Sequence, residues 1–284
     1  MLNFRYHALS LVAVFLALVI GLLLGVAIGD RGLVSSAEHD VRASLRGDVR
    51  KAEDERDAAR EQLRARDAFE RAAYPALVAN RLPGARIALI ELGGGSDRMW
   101  NLTRDALQGS GAQLVSVSVV REPLNVGALA AASKGTRYEQ LGQVPGLVHA
   151  FGTRIGIQLT TGGPLLAAVR HDLLVEGSGA LEGVDGVVLV RDPVTLAGDD
   201  AAVTSAFEEG LMRGLNAHDI PVVGVETSDA AASQVPWFKA HDASSVDDLD
   251  DTIGRAALVF ALAGQRGSFG VKPTADGGRL PPLL

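Results

Sequence analysis

The stretch RIALIEL, residues 86–92, runs straight into Gly93-Gly94-Gly95-Ser96-Asp97, and its reading decides the fold. Seven mostly apolar, β-branched-rich residues ahead of a glycine turn read as a buried strand. Residues 97–109 then take helical spacing. Gln113–Val120 (QLVSVSVV) forms a second strand-like run. Two further near-continuous apolar runs, residues 186–190 in DGVVLVRD and 220–225 in DIPVVGVET, flank a helix candidate over residues 200–217. Continuous apolar strands alternating with helices predict an α/β domain with a doubly wound, mostly parallel sheet covered on both faces. That domain is expected over residues 84–270. Residues 123–146, rich in Gly and Ala, are expected to form a long loop or weak helix. The stretch from Lys272 carries three prolines, so residues 271–284 are expected to be an extended or loosely ordered tail.

Upstream, the composition changes twice. After a short N-terminal tail, residues 1–7, the run ALSLVAVFLALVIGLLLGVAIG (residues 8–29) has Ser10 as its only polar side chain. At ~1.5 Å per residue it is roughly 30 Å long, enough to cross a bilayer core. A cleaved signal peptide is the alternative, but its apolar region is shorter, ~7–15 residues. A retained single-pass anchor follows. Lys and Arg on its two sides leave its orientation undecided. Gly21, Gly25 and Gly29 recur every fourth residue, on one helix face, and predict a helix–helix contact.

Nineteen of the 34 residues from Glu38 to Arg71 are charged, and the stretch contains no Pro. Residues 33–74 therefore read as a long exposed helix. Its narrow apolar stripe comprises Val41, Leu45, Val49, Ala52, Ala59 and Leu63, with Arg56 interrupting it. Arginines flank one side and acids the other, as in a parallel coiled coil. So little apolar area also fits a single solvated helix or one folded back on its own domain. With the glycine face, the stripe favours a parallel homodimer.

Chemistry is sparsely signalled. The chain has no Cys, which removes thiol nucleophiles, iron–sulfur clusters and Cys-based zinc sites. A net charge of −7 argues against a general nucleic-acid binder. Gly93, Gly94 and Gly95 stand where a phosphate would meet a helix N-terminus. The fingerprint is incomplete, with Arg98 in place of its third glycine, so this is only a possible ligand loop. His7, His39, His149, His171, His218 and His241 show no metal-ligand spacing. The acids Asp247, Asp248, Asp250 and Asp251, behind Ser244-Ser245 and ahead of the apolar residues 256–263, read as the capped start of a core helix. No catalytic residue or cofactor is identifiable, and the metal ligands are unknown.

The opening RYHALSLVAVFLALVIGLLLGVAIGD, the charged helix behind it, and the ending DDLDDTIGRAALVFALAGQRGSFGVKPTAD resemble the mycobacterial copper transport protein B family. The likeness is strongest at both ends, above all in Gly267-Ser268-Phe269-Gly270 followed by Lys272. It implies a non-catalytic actinobacterial envelope protein in copper efflux or homeostasis, with its C-terminal domain outside the cytoplasm. Copper and the outer membrane enter through the family name alone. Some relatives look tied instead to cell division and cell-wall hydrolases, which implies a dimeric scaffold presenting its domain to an envelope protein partner.

Overall fold

A computed structural model describes residues 4–29, 33–144 and 146–282. The chain divides into two compact units, residues 1–66 and 67–284.

In the first unit, helix α1 (Phe4–Gly29) begins within the expected tail. Its segment Arg5–Ala27 is the one described helix long and apolar enough to cross a membrane, and none of it is buried by protein. By length and composition it is a candidate membrane span. Helix α2 (Leu33–Val78) begins in the same unit. Its charged residues include i,i+3 and i,i+4 neighbours such as Arg60–Asp57 and Lys51–Glu55.

Pro75, just past the expected helix over residues 33–74, lies inside α2. Its ring removes one amide donor, yet its own carbonyl still accepts from Ala79 N. Tertiary packing holds this last turn. Tyr74, Leu77 and Val78 join the apolar cluster of the second unit, and Tyr74 Oη donates to Ala106 O at 2.6 Å.

The second unit is built on a seven-stranded sheet. Its strands are β1 (Arg86–Gly93), β2 (Gln113–Val120), β3 (Leu174–Gly179), β4 (Gly186–Asp192), β5 (Val222–Val225), β6 (Ser244–Val246) and β7 (Ser268–Phe269). Their order is β3-β2-β1-β4-β5-β6-β7, and only β3 runs antiparallel to its neighbour. Alternation along the strands sorts two cores. Ala88, Ile90 and Leu92 face a layer formed by α4 (Val126–Ala132), α5 (Leu147–Thr161), α6 (Pro164–Leu173), α7 (Gly198–Leu215) and α8 (Val235–Ala240). Ile87 and Leu89 face α3 (Asp97–Leu107), α9 (Thr252–Leu262) and the end of α2.

Helices α5 and α7 meet through glycines. A Cβ on Gly152 or Gly156 would strike the carbonyls of Phe207 or Leu211, and one on Gly210 or Gly214 those of His149 or Thr153. Backbone therefore packs on backbone, with Phe151, Ile155 and Leu159 beside Phe207, Leu211 and Leu215 in the core beneath.

Residues 123–146, expected as a long loop or weak helix, hold the short helix α4 and a 3-10 turn, Arg137–Gln140, capped by Asn125 and Thr136 side chains. Two expectations change. Ser244 and Ser245 belong to strand β6, so Asp251 alone caps α9, accepting from Ile253 N. The C-terminal stretch is pinned rather than loose. Val271 N and Lys272 N donate to Asp247, and Arg279 bridges Asp248 and Asp251. Buried acids supply acceptors that outweigh the proline content of that stretch.

Candidate functional site

In a doubly wound sheet, ligands collect beyond the carboxyl ends of the strands, where the winding reverses. Here the chain winds from β1 to β2 on one side and returns to β4 on the other, so that point lies between β1 and β4. The loop Gly93–Gly95 stands there, as its sequence suggests. Gly93 has φ +92°, and a Cβ on it would collide with the Asp192 carbonyl at the end of β4. Ser96 caps α3, accepting from Met99 N, while its own amide donates to Glu91 Oε2 at 2.8 Å. Part of the helix terminus is therefore already satisfied by the chain's own side chains.

The surroundings are acidic. Glu91, the one acid within RIALIEL, occupies a core-facing position of β1 and is 1% exposed. In register it sits between Val119 and Val190, with Glu176 beyond Val119. Desolvation pushes its carboxyl up to about 7, aided by Glu176 and opposed by the Ser96 amide. Glu122, just after β2, is also pushed up to about 7, by desolvation first and then Glu208. Its Oε1 is buried without a hydrogen-bond partner among the described residues. Glu91, Ser96, Asp97, Trp100, Val119 and Glu176 line a cleft of about 460 Å³. This sign of charge disfavours a phosphate at the glycine loop.

Beside it, buried ion pairs close the carboxyl edge. Arg191 grips Glu208 with two bonds of 2.8 and 2.9 Å, donates to Gln234, and stacks on Trp237. Glu226 accepts from Lys272 Nζ (2.8 Å), Ser233 Oγ (2.8 Å) and Gln234 N (2.6 Å). Desolvation raises Asp248 to about 6 despite Arg279, and raises Asp247 despite two backbone donors. The motifs DDLDD and GSFGVK therefore interlock. A Cβ on Gly270, at φ +140°, would overlap the Asp247 carboxylate, and one on Gly267 would press on the Phe269 ring. These partners were missed from sequence; a charge inside an apolar strand, as in RIALIEL, was the available signal.

The expected helix-contact and seam residues belong to the first unit. Gly21 and Gly25 have nothing near them on α1. The surroundings of Gly29 lie outside the described residues. Val41, Leu45, Val49, Ala52, Ala59 and Leu63 are all exposed on α2. Copper ligation finds no prepared set: among the described residues no three His, Cys, Asp or Glu side chains are placed to hold a metal ion. Met99 and Met212 are buried in apolar core. His241 stacks on Trp237, and its Nδ1 meets the Trp237 carbonyl.

Comparison with known proteins gives a coherent answer. Residues 1–279 match the family described as copper transport outer membrane protein, MctB. The chain is 27% identical to proteins named copper transporter MctB from Mycobacterium bovis and from the CDC 1551 and H37Rv strains of Mycobacterium tuberculosis, over 92% of either chain.

Proposed function

This chain belongs to the MctB family, and on that premise we propose that it is a single-pass, membrane-anchored envelope protein serving copper efflux or homeostasis, without catalysis. The observation that carries the reading is the family match, which spans the apolar helix and the folded unit together. The folded unit stands outside the cytoplasm. One spanning helix per chain encloses no pore. Copper therefore passes through an assembly of several copies or through a partner protein, with the metal as cargo.

Deleting the gene should lower copper tolerance, and the full chain should restore it. Normal tolerance would overturn the copper role. A reporter fused to the C-terminus that works only in the cytoplasm would overturn the orientation.

A second reading has its own support. The apolar stripe of α2 lies open, with Val41, Leu45, Val49 and Leu63 each more than half exposed. Paired in parallel with a second copy, these side chains would leave water. On this reading the protein is a dimeric scaffold that presents its α/β unit to a cell-wall or cell-division partner. Misshapen septa in a deletion strain with normal copper tolerance would favour it.

A further inference from the structure

The glycine-mediated crossing of α5 and α7 creates a feature of opposite charge to the acidic edge. Arg154 follows Thr153, whose carbonyl packs against Gly214, and Arg213 precedes that same glycine. The close helix approach therefore brings two arginines from different helices to one cleft. Arg137 closes it from the 3-10 turn, and His149 adds a fourth nitrogen base. The cleft measures about 290 Å³, with Tyr138, Ala150 and Ile157 as its apolar walls.

No carboxylate lines this cleft. Among the described residues, neither Arg154 nor Arg213 pairs with one. In a chain of net charge −7, three arginines lining one cleft make a local positive patch. Arg137 is moreover held in place. Its Nη2 donates to Tyr138 Oη at 2.8 Å, and its guanidinium lies 4.8 Å from the centre of the Tyr138 ring. That ring is itself buried edge-on against Phe151. Planar, permanently charged forks on a fixed frame suit tetrahedral oxyanions, which they grip in bidentate fashion.

We propose that this cleft binds a phosphate group, gripped by Arg137, Arg154 and Arg213. A phosphate monoester, pyrophosphate or the diester of a lipid headgroup presents the same oxygens, and the two sources separate by experiment. The full chain, purified in neutral detergent at about 50 mM salt, is titrated calorimetrically with inorganic pyrophosphate. A parallel titration uses dihexanoylphosphatidylglycerol, with dihexanoylphosphatidylcholine as the control for partitioning into detergent.

Saturable binding of at least one phosphate probe is expected. The exposed-site variant Arg154→Gln/Arg213→Gln should weaken it at least ~10-fold, since each charge-assisted contact contributes strongly, without changing the melting temperature. Pyrophosphate alone would identify a soluble ligand, and phosphatidylglycerol over phosphatidylcholine a headgroup. Two outcomes would overturn the proposal: no saturable heat with either probe up to millimolar concentration, or binding that the double variant retains.

Discussion

At the scale of single residues, Glu91 is the most telling departure from a plain α/β core. Its neighbours Ile87 and Leu89 on the same strand face are apolar, and it takes their place one step further on. Burial raises its carboxyl from 4.5 to about 7, so the folded protein binds a proton that the unfolded chain releases. The sign follows directly: between pH 4.5 and 7 the native state holds more protons, and stability falls as pH rises through 7. A displacement of that size is worth at most ~3 kcal/mol. Glu122 adds to it in the same direction. Glu91→Gln keeps an oxygen for the Ser96 amide and removes the charge. Its unfolding free energy at pH 8 should exceed that of the parent by about 1–2 kcal/mol and vary less between pH 6 and 8. Thermal unfolding across that range measures this, and an unchanged pH slope would show that Glu91 stays ionised in the fold. The residue was visible in RIALIEL. Its role was not, because only the register with Val119, Val190 and Glu176 reveals how little water reaches it.

Elements differ in how well the sequence announces them. Strands β1, β2 and β4 are long and apolar, so their ends could be read within a residue or two. Strands β6 and β7 have three and two residues, too short for any alternation to register. Glycines every fourth residue predict a contact face in helix α1. The same spacing in Gly152/Gly156 and Gly210/Gly214 carries no such signal by itself, since nothing in those stretches marks two helices as partners. Helix α2 poses the reverse problem: its stripe is plain in the sequence, and its six residues are exposed in the single chain. The absence of Cys makes pairing with a second copy testable. In a parallel dimer Val49→Cys faces its own copy, whereas Asp54→Cys lies on the opposite side of the helix. Mild oxidation of membranes should cross-link the first variant into a dimer and leave the second monomeric on a non-reducing gel. Equal cross-linking of both would reflect chance collision and remove the coiled coil.

Over the whole molecule, the sheet is finished by chain drawn from its far end. Lys272 reaches back to Glu226 at the end of β5, and Arg279 to Asp248 and Asp251 around the start of α9. Prolines and a terminal position made residues 271–284 read as loose, because sequence alone cannot show that Asp247 and Glu226 are buried acids awaiting donors. This explains why DDLDD and GSFGVK occur together: each satisfies what the other would leave unpaired. Glu226 is 6% exposed, so removing its cation strands a charge away from water. Lys272→Met should therefore lower the unfolding free energy by about 3 kcal/mol. Adding Glu226→Gln to that variant neutralises the stranded carboxylate while keeping an acceptor for Ser233 and Gln234. It should recover much of the loss, giving a coupling of at least ~1 kcal/mol in a double-mutant cycle. Denaturant unfolding of the four proteins measures the cycle. Additive losses would mean that Lys272 contributes through the packing of its aliphatic stem, without depending on the Glu226 charge.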